Sequence, residues 1–181
     1  MSIEENDLKL LLKALQFSAV KHKDQRRKDV DASPYINHPI SLASILCNEA
    51  HVTDVNVICG ALLHDTVEDT ETTLEELENE FGATIKDIVM AVTDDTSLQR
   101  HERKQAQIDH AAHISDEAKL VKLADKISNL RDVSVNPPPN WSLQRRQEYF
   151  DWAKRVIDEL RGINPHLETI FDTAYSGRPD S

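Results

Sequence analysis

The chain has 181 residues, of which 39% are hydrophobic and 29% charged, and a formal net charge of −11 at pH 7. At this length one domain over residues 1–181 is the default, with enough buried surface to fold without staples. The acidic balance argues against nucleic acid as the main partner, and four glycines with no GxGxxG or GxxxxGK[ST] leave little room for a Rossmann or P-loop nucleotide site.

Residues 7–22 place Leu8, Leu11, Leu12, Leu15 and Ala19 at helical spacing, with Asp7 as a cap. Gln25-Arg26-Arg27-Lys28-Asp29 is the densest basic run and by itself reads as solvated surface. Ser33-Pro34-Tyr35-Ile36-Asn37-His38-Pro39 breaks the chain, and Pro39 suits the first position of a helix over 40–50. Asp54 caps a third helix, which carries a His64-Asp65 pair. Residues 70–73 form a turn before a helix over 74–81 that Gly82 stops. The next helix, 83–93, sets Ile85, Ile88, Val89 and Val92 on one side. After a loop at 94–97, residues 99–112 are polar all round and give the weakest helical signal. Ser115 caps 116–133, Asn136-Pro137-Pro138-Pro139 is a stiff break, and helices over 142–161 and 165–175 complete the chain. With no strand alternation and no repeat, this is an all-α architecture of roughly eight helices. Cys47 and Cys59 sit in apolar runs far from CxxC spacing, so they read as reduced core thiols and point to the cytoplasm. No apolar stretch approaches the ~18 residues of a membrane span.

The chemistry concentrates in Ala61-Leu62-Leu63-His64-Asp65-Thr66-Val67-Glu68-Asp69. Burying Leu62 and Leu63 draws His64 and Asp65 inward, and an interior Asp is costly unless paired or metal-bound. On one helix His64 and Glu68 would be i,i+4, as would Asp65 and Asp69. The acids read either as a solvated helix end or as the cradle of a cation. Later, Leu120, Leu123, Ala124, Ile127 and Leu130 form a core stripe, while Lys122, Asp125 and Asn129 share another face. Lys126, about 100° round the helix, is expected to matter little. His38 stands at the mouth of a helix. Together His38, His64, Asp65 and Asp125 offer two imidazoles and two carboxylates, a set suited to Mn²⁺, Fe²⁺, Co²⁺ or Zn²⁺. Four ligands on an octahedral ion leave two positions for water or a substrate oxygen.

His38 … His64-Asp65 … Asp125 resembles the HD superfamily of metal-dependent phosphohydrolases. The His-Asp-x-x-Glu-Asp form, with Gln25-Arg26-Arg27-Lys28, Pro34-Tyr35-Ile36-Asn37-His38-Pro39, Val92-Thr93-Asp94-Asp95 and Lys119 to Asp132, is similar to the hydrolase domain of RelA/SpoT alarmone enzymes, in its small stand-alone metazoan form. The resemblance spans about residues 8–172. It implies a single HD-type domain that removes the 3′-pyrophosphate of (p)ppGpp with one Mn²⁺ held by His38, His64, Asp65 and Asp125. It further implies that Glu68 and Asp69 handle the attacking water, and that Arg27, Lys28, Asn129, Arg145 and Tyr149 contact substrate. NADPH, losing its 2′-phosphate in the same site, is the alternative substrate. A non-catalytic nucleotide sensor is the remote alternative, and would be expected to lose Glu68 or Asp69. Oligomeric state is left open. Two departures stand out. Thr96 replaces a frequent Lys, so one cationic contact is either lost or taken over by Arg100, Arg103 or Lys104, and Ser128 replaces a larger residue, with an expected change in pocket width.

Overall fold

In the computed structural model, which describes residues 4–180, Val55–Leu63 (here α3) is the helix around which the others pack. Every residue from Val57 to Leu63 is buried, because this helix is apolar on all sides rather than along one stripe. Its neighbours are α1 (Glu5–Lys21), α2 (Asn37–Ser44, continued by a π turn over Ile45–Glu49), α6 (Ala83–Val92) and α8 (Asp116–Val135). Around them lie α4 (Thr66–Asp69), α5 (Leu74–Phe81), α7 (Arg100–Ala111), α9 (Leu143–Asp158) and α10 (Pro165–Tyr175). The described residues are thus all-α, ten α-helices against an expectation of roughly eight, with a single isolated bridge, Arg26 to Pro34, and no strand.

Two apolar clusters meet at α3. Val57 and Ala61 join α8 residues such as Leu123, Ile127 and Leu130 and the Phe150 and Phe171 rings. Cys59, Leu62 and Leu63 join Ala14, Leu77, Phe81, Ile85 and Val89. Gly60 allows the α3–α6 approach: a Cβ there would lie 2.6 Å from Ile88 Cγ2. Among the described residues no helix is long and apolar enough to cross a membrane.

The caps follow the sequence in part. Asp54, Thr73, Ser115 and Ser142 each accept from a backbone N–H of the helix they open. Gln99 and Glu102 form a capping box, which explains why the polar stretch 100–111 is helical. Asp7, however, lies in the first turn of α1, whose cap position is Glu4. Pro39 is the third residue of α2, not the first. A first-turn residue has no intrahelical use for its N–H, so proline is tolerated there as well. The helix expected to carry His64 and Asp65 ends at Leu63, and these two residues form the link to α4. His64 and Glu68 therefore do not share one continuous helix.

Candidate functional site

The end of α3 places the first pair. His64 Nδ1 lies 2.8 Å from the Ala61 carbonyl, and Thr66 Oγ1 donates to the Leu63 carbonyl at 2.7 Å. These contacts satisfy carbonyls that a helix end leaves unpaired, and they fix the His64 ring with Nε2 turned away from α3. That nitrogen is buried, 2.8 Å from Asp65 Oδ2, yet not aligned for a hydrogen bond to any partner. Burial alone would lower the imidazole, but the Asp65 carboxylate, with Asp125 behind it, raises it to about 9. Burial would likewise raise Asp65, but His64 and His38 hold it well below the ordinary carboxylate range. Tyr35 donates its hydroxyl to the same Asp65 oxygen.

The second pair comes from α2 and α8. His38 Nε2 lies 3.2 Å from Asp125 Oδ1, and its Nδ1 lies 3.2 Å from Ser128 Oγ. Ser128 is buried behind the ring rather than on the pocket wall, so its expected effect on pocket width gives way to one on ring orientation. Asp125 also accepts from Asn129 Nδ2 at 2.6 Å and from Lys126 Nζ at 2.9 Å. The ligating atoms of His38, His64 and Asp65 all lie within 4.8 Å of one another. Asp125 adjoins them through His38. His38, His64 and Asp65, with one imidazole nitrogen buried without a hydrogen-bond partner, could hold a divalent ion, and Asp125 stands beside them.

All of this lines one cavity of about 330 Å³. Glu68 and Asp69 are on its wall. Glu68 Oε2 accepts from the Asp94 N–H at 3.0 Å, and burial, reinforced by the Asp94, Asp65 and Asp69 charges, pushes its carboxyl up to about 7. Asp69 accepts from Gln25 Nε2 at 2.7 Å, and Gln25 Oε1 is 2.6 Å from His22 Nδ1. The loop that supplies Arg27 and Lys28 is closed by the Arg27 N–H to Ser33 and the Tyr35 N–H to Gln25, with Asp29 accepting twice from Ser33. Arg27 reaches Asn129 Oδ1 at 3.2 Å and Asp132 at 2.5 Å, across a separation of 102 and 105 residues. Tyr149 completes the wall. An adjoining cleft of about 450 Å³ shares Arg27, Lys28, Asn129 and Tyr149 and adds Trp141, Val135 and Pro138.

Of the substrate residues expected from sequence, Arg27, Lys28, Asn129 and Tyr149 line the cavity; Arg145 does not. It lies in a neighbouring recess with Arg100 and Lys104, its guanidinium 4.5 Å above the Trp141 ring. Thr96 and Arg100 are exposed and Arg103 and Lys104 half-buried, and all four lie off the cavity. Lys126, expected to matter little, is buried on the cavity wall, with Nζ 4.6 Å from the Trp152 ring. Its stem is long enough to swing an ammonium across the angle that separates it from Asp125. Sequence reasoning also passed over Tyr35, Asp94, Gln107 and Lys122 as cavity residues. Lys122 carried a usable signal, since it shares a helix face with Asp125; Tyr35 and Gln107 carried none beyond proximity to the motifs.

The sequence profile of the HD domain matches residues 14–151. The chain is 57% identical to guanosine-3′,5′-bis(diphosphate) 3′-pyrophosphohydrolase MESH1 of Danio rerio, covering 93% of this chain and 94% of that protein. The Homo sapiens protein of the same name is 55% identical, with coverage of 93% and 94%. Among solved structures, one of a metazoan ortholog of SpoT, described as hydrolysing ppGpp with a role in starvation responses, superposes with a TM-score of 0.92 at 47% identity over 98% of each chain.

Proposed function

The chain belongs to the HD domain family, and from that membership we propose that it hydrolyses the 3′-pyrophosphate of ppGpp, giving GDP and diphosphate. The observation that carries this reading is a single cavity that joins the His38, His64, Asp65 and Asp125 donor set to Glu68, Asp69 and the cations Arg27 and Lys28. Four of the site's acids would repel a polyphosphate without a compensating ion, so the walls suit an anion only when a divalent cation is present. His38, His64, Asp65 and Asp125 would hold that ion, and we take it to be Mn²⁺. When bound, it supplies Lewis-acid polarisation of a phosphoryl oxygen and makes water more acidic.

The chain's own groups do the rest. Glu68 keeps Oε2 on the Asp94 N–H, leaving Oε1 to accept the proton of the attacking water; a carboxyl near 7 exchanges protons readily at neutral pH. Asp69, held by Gln25, orients that water. Arg27 forks between Asn129 and Asp132 beside Tyr35, where its plane can also stack on a base. Lys28 at the mouth and Tyr149 on the wall bound the substrate. Arg145 would reach only a group that extends past Tyr149. Both cysteines are free, consistent with a reducing, cytoplasmic setting.

NADPH 2′-phosphatase activity in the same site is the second reading, favoured by the adjoining 450 Å³ cleft, which offers room for a further nucleoside. The test is one assay of both substrates with Mn²⁺ and with chelator. Diphosphate released from ppGpp only with the metal supports the proposal. Full turnover in chelator, or phosphate release from NADPH with ppGpp untouched, overturns it.

A further inference from the structure

Four cations line the 330 Å³ cavity: Arg27, Lys28, Lys122 and Lys126. Three of them are committed or remote. Arg27 is bonded to Asp132 and Asn129, Lys126 is paired with Asp125 at 2.9 Å, and Lys28 is exposed at the rim. Lys122 differs. It is only 7% exposed and, among the described residues, forms no ion pair and no hydrogen bond. The groups that bear most on its charge (Lys126, Asp94, Asp125 and Glu68) all line the same cavity.

Asp94, Asp125 and Glu68 favour the Lys122 charge from a distance, but none pairs with it directly, and an ammonium held in a largely buried position without a direct partner is costly. We propose that Lys122 is a substrate-contacting residue: its ammonium, on the wall of the cavity that Arg27 and Lys28 also line, receives the diphosphate group of the substrate. A diphosphate then meets several cationic groups of one cavity, and the Lys122 ammonium gains the direct partner it lacks in the free chain. Burial and Lys126 together push Lys122 down to about 8, so an arriving anion would also hold its proton in place. The inference rests on the phosphohydrolase reading, deepening it by one residue.

The experiment uses the full chain loaded with Mn²⁺, in wild-type, Lys122→Met and Lys119→Met forms, with inorganic diphosphate as the probe. Lys119 is on the same helix, pairs with Asp116 near its start and lies off the cavity, so it controls for general charge. Calorimetry should show diphosphate binding weakened about 10–100-fold in Lys122→Met and unchanged in Lys119→Met. Metal content should be unaltered. Without diphosphate, the Lys122→Met melting temperature should stay level or rise by about 2–4 °C, because an apolar side chain replaces an uncompensated ion. An unfolded or less stable Lys122→Met protein overturns the proposal, since it would show that the fold itself uses the ammonium. Equal weakening in both variants, or loss of metal along with diphosphate, overturns it too. Because binding is read directly, a chain that binds diphosphate through Lys122 but leaves ppGpp intact refutes the substrate assignment and not this contact.

Discussion

Replacing Glu68 with Gln should make the metal-free chain more stable and, with Mn²⁺ bound, abolish most of the turnover. The carboxyl is raised from its ordinary 4.5 to about 7 by burial and by three neighbouring acids. A raised carboxyl opposes folding once it must ionise. Below pH 4.5 it is protonated in both states and has no effect; between 4.5 and 7 only the unfolded chain releases the proton; above 7 the native state carries the whole penalty. Solvent screening of a carboxyl that is still partly exposed discounts this difference to about 1–2 kcal/mol. Gln keeps the acceptor oxygen for the Asp94 N–H and removes the charge. In chelator, the melting temperature of Glu68→Gln should therefore match wild type near pH 4.5 and exceed it by roughly 2–8 °C at pH 8, at about 2–4 °C per kcal/mol for a chain of this size. With Mn²⁺, kcat should fall about 10²–10⁴-fold at unchanged metal content. Calorimetric melting of both proteins across pH 4.5–8 measures the first effect. A melting difference that does not change with pH would refute the electrostatic account of Glu68. Near-normal turnover would remove it from the chemistry.

Ser128→Ala should weaken metal binding about 10–100-fold, read by competition with a chelating dye, because the Ser128 hydroxyl holds His38 Nδ1 and so presents Nε2. Asp125→Asn should lose metal and turnover together, whereas Asn129→Ala should keep the metal by elemental analysis and lower kcat/KM roughly 10–10³-fold; equal metal loss in both would collapse the distinction between ligand and substrate contact. Gly60→Ala should cost about 1–3 kcal/mol in urea unfolding, since its Cβ would stand 2.6 Å from Ile88 Cγ2 inside the α3–α6 contact; an unchanged midpoint would mean the two helices can separate freely.

Much of the molecule could be read from local pattern. Apolar residues at helical spacing identify α1, α6 and α8, and Asp54, Ser115 and Ser142 mark helix starts, because caps and periodicity are satisfied within a few residues of chain. The apolar run through Leu63 likewise foretold that His64 and Asp65 would be drawn inward, since burial of a helix apolar on all sides leaves its last residues no other direction. What stayed hidden depends on partners distant in sequence. The break after Leu63 is held by side chains returning to the Ala61 and Leu63 carbonyls, which periodicity cannot weigh. Ser128 acquired its place behind His38 across 90 residues, and Arg27 its bond to Asn129 across 102. Where Lys126 and Arg145 carry their charges was not legible for one reason: a long flexible stem lets the charged head travel several ångströms from the direction its Cα assigns. Lys126 was captured by Asp125 and Trp152, and Arg145 by Trp141. Backbone pattern sets where a side chain starts; only the packed neighbours decide where its charge ends.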